Sequence, residues 1–296
     1  LDVAIGDGWE KYNNSVSPIR ASIQAADGSY DVIAGWSARI PGLSLEGLFL
    51  DAQTIPYLDL EMPWWNQSCR TELKIGNRLF FVTGDLTQTI IESMYVYTFN
   101  QKVADDLGIE DPYTVVNEGR WTLDYQRKIA EVAYVDTNGN GAVDDGDYYG
   151  FYSDAQSNVN TYLWSCDNQI FTKNKDGELE FTYYSEHLLD VYEKCYALLN
   201  ETVGAGYKSD HNSGIDMFAQ YGALTANGQI RHAITKLAEY ENEYGIIPYP
   251  KFDESQEKHY TYADRYSMLF CIPASCADPD FAGFMLEALS AEATDT

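Results

Sequence analysis

Basic residues are scarce in this chain. Its 296 residues include 19 Lys and Arg against 46 Asp and Glu, a formal charge of −27. Such a chain repels phosphate backbones and anionic bilayers, so charge alone argues against a nucleic-acid or lipid-surface role. Long apolar runs are missing too, since nothing approaches the roughly 18 residues that a membrane-spanning helix needs. The five cysteines (Cys69, Cys166, Cys195, Cys271 and Cys276) are odd in number, scattered and without a C-x-x-C pair. That spacing argues against a full disulfide framework and against a zinc site. Cys271, inside the run SMLFCIP, reads as a buried thiol. His187, His211, His232 and His259 form no H-E-x-x-H, and there is no G-x-S-x-G elbow, P-loop or G-x-G-x-x-G.

Aromatic residues are plentiful: 24 Tyr, 12 Phe and 6 Trp, within a hydrophobic fraction of 45% that marks a folded chain. Tyr and Trp join a flat apolar face to a polar handle, which suits hydroxyl-rich ligands as well as cores. The length exceeds one compact core and predicts two lobes. The chain opens at Leu1 with a strand-like LDVAI and closes on AEATDT after a helical segment, and both ends read as cut from a longer protein.

Along the chain, strand and helix signals alternate. Residues 11–26 read as a helix, 30–35 as a buried parallel strand ending at Gly35-Trp36, and 43–50 as a helix. Gly76-Asn77 between apolar runs over 73–82 predicts a hairpin. A strand over 94–100 leads into helices over 101–107 and, behind Thr122, 123–133. Ser185 caps a helix to about Leu199, and Asp278-Pro279 opens one through Leu289. The pattern predicts an α/β architecture with mostly parallel sheets flanked by helices.

Residues 136–147, DTNGNGAVDDGD, fit D-x-N-x-N-G-x-x-D-x-x-D. Oxygen side chains fall at loop positions 1, 3, 5, 9 and 12, a glycine at 6 makes the sharp turn, and the residue at 7 offers its carbonyl. The spacing predicts a calcium loop of the dockerin type, with Asp136, Asn138, Asn140, Ala142, Asp144 and Asp147 as ligands. A single loop without a paired second hand points to a structural Ca²⁺ clip, not a switch. The alternative is an acidic turn that binds no metal.

Four stretches carry a resemblance. They are DVIAGW (31–36) with GLFLD (47–51), YVYTFNQKVADDLGIEDP (95–112), DYYGFYSD through YLWSCDNQIF (147–171), and the C-terminal set FAQYGALTANGQI (218–230), YGIIPYPKFDE (244–254) and YSMLFCIPASCADPDFAGFMLEALSAE (266–292). In order and spacing they resemble the extracellular solute-binding proteins of bacterial ABC importers, the carbohydrate-type family 1 that includes maltose-binding protein. The resemblance implies a two-lobe Venus flytrap whose hinge closes on a solute in the cleft between lobes. Lobe 1 would comprise 1–94 plus 265–296, incomplete at both ends, and lobe 2 would be 95–264. It further implies sugar or oligosaccharide transport, delivery to a membrane permease, no catalysis, and a monomeric lipoprotein on the surface of a Gram-positive bacterium, its anchor outside this chain.

Ligands of open α/β sheets sit beyond the carboxyl ends of the strands. Trp36 would stack on a sugar face there while Ser37 and Arg39 bond hydroxyls. By position match, Tyr97 lies at the first crossing, and Asn158, Asn160, Tyr162 and Trp164 lie in the aromatic segment of lobe 2. Asn227 and Gly228 match a turn, and Tyr262, Asp264 and Arg265 lie at the return crossing. The family member that binds maltose carries a stacking Trp two positions after that glycine, where Ile230 stands here, so the sugar is left unassigned. Trp121 and at least one of Trp64 and Trp65 read as packing residues. Two other readings stay open. One is a glycan-active hydrolase, which would need two carboxylates at fixed separation. The other is a binding protein for peptides or polyamines, which would use the acidic surplus.

Overall fold

The computed structural model describes residues 16–144 and 146–294, without the side chains of 155–159. The strand expected at 1–5 lies outside the described residues. Among them, nine strands run in chain order: β1 (Ile33–Trp36), β2 (Tyr95–Asn100), β3 (Tyr149–Asp154), β4 (Phe171–Lys173), β5 (Leu179–Phe181), β6 (Ala205–Lys208), β7 (Ala223–Gln229), β8 (Tyr244–Ile247) and β9 (Met268–Cys271). The chain divides into two compact units. Residues 1–90, 173–179 and 264–296 form the first, and 91–172 with 180–263 the second. This differs from a division at 94/95 and 264/265 by residues 91–94, Asp264 and the segment 173–179.

The second unit is built on a five-stranded sheet in the order β6-β3-β7-β2-β8. β3 runs parallel to β6 and β7, whereas β2 runs antiparallel to β7 and β8. The α/β class is as expected, but parallel pairing is confined to β3 with its two neighbours. β2 is mostly apolar, with Thr98 and Asn100 as its polar members, and buried throughout, as suits a strand covered on both faces. It stops at Asn100, whose side chain accepts from the Val103 N–H at 3.1 Å and so caps the helix Gln101–Asp106. Thr122 caps the helix Leu123–Ala133 in the same way, and Ser185 caps Glu186–Tyr196. The latter helix does not continue to Leu199 as an α-helix. From Ala197 to Glu201 it widens into a π-helical turn.

Tyr97, Phe99, Trp121, Phe151, Tyr162 and Tyr249 form the core of this unit, each less than 2% exposed. Trp121 donates its indole N–H to the Pro248 carbonyl at 2.8 Å, so its burial leaves no polar group unpaired. The Asn227-Gly228 pair, expected as a turn, lies inside β7 opposite Tyr97 and Val96. Glycine is needed there because a Cβ would stand 3.0 Å from His232 Nδ1 and 3.4 Å from Ile215. The imidazole in turn accepts the Gln229 N–H at 2.9 Å, at the end of the strand.

In the first unit β1 pairs antiparallel with β9, from Ile33 opposite Cys271 to Trp36 opposite Met268. The parallel strand expected over 30–35 is thus corrected: its neighbour is supplied by the returning C-terminal segment, which arrives from the opposite direction. The helix expected over 43–50 is also corrected. It is one turn, Pro41–Ser44, after which Gly47 at φ +73° redirects the chain. Leu48 and Phe49 are then buried beside residues 272–274. Gly76 and Asn77 both take left-handed φ, +54° and +64°, between the mutually bonded Ile75 and Arg78, which is the two-residue hairpin turn expected. The last helix runs Pro279–Thr294, beyond Leu289, through an Ala-rich stretch with no breaker. Its Glu287 carboxylate accepts the indole N–H groups of both Trp64 and Trp65, at 3.1 and 3.0 Å, which makes both tryptophans packing residues.

Two outcomes follow. A Cβ at Gly150 would lie 2.2 Å from the Ala130 carbonyl oxygen and 2.4 Å from its Cα, where the helix Leu123–Ala133 meets β3. Neither backbone can yield cheaply, so Gly150→Ala should destabilise by about 3 kcal/mol, seen as a lower urea midpoint. Burial, aided by Arg231 and Lys236, pushes the His232 imidazole down from 6.5 to about 4. The unfolded chain therefore takes up this proton first, and the stability tied to the neutral ring is complete above pH 6.5 and falls as pH drops towards 4. Relative to His232→Asn, the native chain should lose up to about 1.4 kcal/mol per pH unit across that window, measured by urea unfolding of both proteins.

Candidate functional site

Strand direction brings one set of side chains to one edge of the sheet in the second unit. β3 ends at Asp154 and the parallel β7 ends at Gln229, while the antiparallel β2 begins at Tyr95, directly opposite Gln229. The carboxyl edge of β3 and β7 is therefore also the entrance of β2. Ser93, one residue before Met94, gives its carbonyl to Gln229 Nε2 at 3.3 Å. Asn227 accepts the Asp154 N–H and donates to the Asp154 carboxylate, both at 3.3 Å, so the acid at the end of β3 is held 3% exposed.

Against this edge stands a ladder of three aromatic rings. Tyr95 stacks on Tyr262 with centroids 5.9 Å apart and planes 13° from parallel, and Tyr262 stacks on Trp164 at 6.3 Å and 12°. The Tyr95 N–H also bonds the Tyr262 carbonyl at 2.9 Å, which fixes the two residues in register. Tyr95 is buried, whereas Tyr262 and Trp164 keep part of their surface open. A near-parallel, part-exposed ring face offers an apolar platform, set against the buried polar pair Asn227 and Asp154.

The sequence-predicted residues of this unit are placed as follows. Trp164 and Tyr262 join the ladder. Tyr97 and Tyr162 come together, but in the core: their hydroxyls meet, and Gln126 Nε2 donates to the Tyr97 oxygen at 2.7 Å. Burial pushes both phenols well above their ordinary range, so they act as neutral hydrogen-bonding groups inside the fold. Asn227 is fully buried and acts through Asp154, and Gly228 is a packing position. Asn160 is exposed on the helix Ala155–Ser165, and the side chain of Asn158 lies outside the described ones. Tyr95, Asp154 and Gln229 were not anticipated. The signal for Tyr95 was in the sequence: the period of two in β2 puts Tyr95, Tyr97 and Phe99 on one face, and only the first lies at the edge.

In the first unit, Trp36 ends β1 half-buried, with its ring edge-on to Tyr266 at 4.8 Å. The Arg265 guanidinium lies 5.2 Å from the Tyr266 centroid, within cation–π range. Ser37 is tied to the same segment, its N–H to the Ser267 carbonyl at 2.9 Å and its hydroxyl to the Arg265 carbonyl at 3.0 Å. Arg39 is exposed, and Asp264 is buried at 8% exposure with its carbonyl accepting from Ser267. Trp36, Ser37, Tyr266 and Arg265 thus form a second, smaller aromatic and basic group.

The loop 136–147 folds around its own side chains. Asp136 accepts the N–H groups of Gly139 and Gly141 at 2.7 and 2.8 Å, and Gly141 takes φ +74° at the sharp turn. Asn138 and Asn140 turn their amide groups onto the Asp144 carboxylate, at 3.1 and 2.7 Å. Asp147 does not join them. Its oxygens take the Thr137 and Asp144 N–H groups and the Tyr134 hydroxyl, at 3.2, 3.0 and 2.7 Å. Being one methylene shorter than the glutamate of an EF-hand, it braces the loop from behind. Chain donors hold both carboxyls below their usual range, Asn140 first for Asp144 and the Asp144 amide first for Asp147. Among the described residues, no three His, Cys, Asp or Glu side chains stand together as a metal-holding group. The oxygens of Asp136, Asn138, Asn140 and Asp144 with the Ala142 carbonyl fit a hard cation only if the two amides turn their oxygens inward.

No family model and no curated protein sequence matches the chain. Solved structures do. UspC of M. tuberculosis aligns at 14% identity and a TM-score of 0.66, over 96% of this chain and 68% of that one. The extracellular solute-binding protein of Staphylococcus aureus, solved with maltose, aligns at 13% and 0.68, over 94% and 66%. The galacto-N-biose/lacto-N-biose I-binding protein of a Bifidobacterium longum ABC transporter, solved with lacto-N-biose, aligns at 12% and 0.65, over 96% and 65%. The chain spans about two thirds of the length of each of these structures. At such identities the likeness is one of architecture, and the architecture is plain: this chain has the α/β fold of the solute-binding proteins of ABC transporters.

Proposed function

We propose that the chain is the solute-capturing component of an ABC importer, that it binds a sugar or oligosaccharide outside the cytoplasmic membrane, and that it hands this ligand to a membrane permease. The observation that carries this reading is the Tyr95–Tyr262–Trp164 ladder at the carboxyl edge of the β3–β7 sheet, beside Asp154 and Gln229. The C–H face of a pyranose matches a flat, part-exposed ring. Two of the structures that share the fold were solved with maltose and lacto-N-biose, which supports a sugar as ligand class. Among the described residues no helix is long and apolar enough to cross a membrane.

A thermal-shift screen over mono- and oligosaccharides, with short peptides and polyamines as controls, tests the reading. A sugar should raise the melting temperature without being turned over, and Trp164→Ala should weaken its binding about tenfold, the loss of roughly 1.4 kcal/mol of stacking and burial. A shift given by peptides alone would move the ligand class, and release of product from the same sugar would make the protein a hydrolase.

The same proposal includes a structural Ca²⁺ in the loop 136–147, held by Asp136, Asn138, Asn140, Asp144 and the Ala142 carbonyl, with Asp147 as a brace. Ca²⁺ accepts six to eight oxygens at loose geometry, so waters complete the set. Tyr134 lies against the loop through Asp147, and Tyr149 donates to the Asp144 carbonyl at 2.8 Å. Terbium bound there should show tyrosine-sensitised luminescence that calcium displaces and that Asp144→Asn abolishes. Sugar affinity should change little when calcium is removed. Luminescence unaffected by Asp144→Asn would leave the loop as an acidic turn.

A further inference from the structure

The helix Glu186–Tyr196 is apolar on two sides. Its inner side packs Leu188, Val191 and Cys195 against the core of the second unit. Its outer side shows Leu189, Tyr192 and Tyr196, which are 62%, 61% and 50% exposed and spaced at i, i+3 and i+7 along one face. A concavity of about 480 Å³ opens on that face, lined by Tyr192, Glu193, Tyr196 and Glu201. Glu201 reaches it because of the π-helical turn at Ala197–Glu201. Bonding from i to i+5 sets Glu201 over Tyr196, whereas α-helical winding would carry a residue five positions on to another side. Asn200 fastens the turn, donating to the Tyr196 carbonyl and accepting the Tyr207 hydroxyl, both at 3.2 Å.

Charge complementarity selects the occupant. Among the described residues neither Glu193 nor Glu201 forms an ion pair, and neither Tyr192 nor Tyr196 stacks on another ring of the protein. Two carboxylates beside two open phenol faces are the chemistry that holds an organic ammonium, through charge and through cation–π attraction. Glu201 stands eight positions after Glu193, about two helical turns along the axis, which favours an extended cation with more than one amine over a compact one. A chain of charge −27 also concentrates cations around itself.

We infer that the outer face of this helix, from Tyr192 to Glu201, is a surface site for an extended polyamine, separate from the ring ladder and independent of what the ladder binds. Two aromatic faces and two acids in an open groove make a weak site, with spermidine bound in the range of micromolar to millimolar concentration.

Isothermal titration of the whole chain with spermidine at physiological salt tests it. Tyr192→Ala and the pair Glu193→Gln with Glu201→Gln should each weaken binding at least tenfold, while Tyr192→Phe, which keeps the ring, should bind as the native chain does. The pair Glu254→Gln with Glu257→Gln makes the same charge change elsewhere on the surface and should have no effect. All these positions are exposed, and melting temperatures within a degree or two of native would confirm that the variants fold. Equal weakening by both glutamate pairs, displacement by magnesium at matched charge, or absence of binding at 10 mM spermidine would each overturn the site. Sugar-induced thermal shifts on the same variants should stay native, so a failure here is distinct from a failure of sugar binding.

Discussion

The direction of β2 is the constraint on which the candidate site depends. A sheet made only of parallel strands would present the ends of β3 and β7 together and the start of every neighbour at the far edge. Because β2 enters antiparallel, its first residue, Tyr95, pairs with Gln229, the last residue of β7. Tyr262 then adds to Tyr95 through both a backbone hydrogen bond and ring stacking, and Trp164 adds to Tyr262. Reversing that one strand would put Tyr95 at the other edge and dissolve the ladder, with no change in composition.

The same strand separates two populations of tyrosine. Tyr95 and Tyr97 point to one face, two residues or about 7 Å apart, and both belong to one core cluster, Tyr97 fully buried and Tyr95 at 6% exposure. Tyr97 lies where Trp121, Phe151, Tyr162 and Tyr249 close over it, so its hydroxyl must find partners inside the protein, and Gln126 and Tyr162 supply them. Tyr95 lies where the sheet ends, and its ring becomes the inner rung of a surface platform. A phenol left unpaired in the core would cost about 1–3 kcal/mol, and Gln126 on the facing helix spares Tyr97 and Tyr162 that cost. The first unit solves a similar problem with one acid: Glu287 satisfies the indole N–H groups of two adjacent tryptophans at once.

Negative charge is distributed by these local arrangements. Some carboxylates are consumed by backbone donors, as Asp136 and Asp147 are in the loop, or by caps such as Asp111 and Asp278. Others pair with the few basic residues, as Glu110 and Glu118 do with Arg120. Others, including Glu193 and Glu201, face solvent.

Several caps and turns were legible in the sequence, because each depends on a few neighbouring residues. Thr122 and Ser185 before their helices, Asp278 before Pro279, and the Gly76-Asn77 turn occur where the residues predict. The binding-protein architecture was legible through the order of its motifs, and Trp164 and Tyr262 through their position among them. Pairing partners were not legible, since β1 meets a strand more than 200 residues later and nothing local encodes that direction. Nor was the line between core and edge: Tyr97 and Tyr95 are the same residue type on the same face, and Asn227-Gly228 has the look of a turn until His232 and Ile215 close around it. By itself, then, the sequence determined an acidic, aromatic-rich α/β chain with the starts of three helices marked, at Thr122, Ser185 and Asp278. The tertiary structure alone decided which aromatics face outward, because exposure is set by where a strand ends against its neighbours, a property of the sheet and not of any one segment.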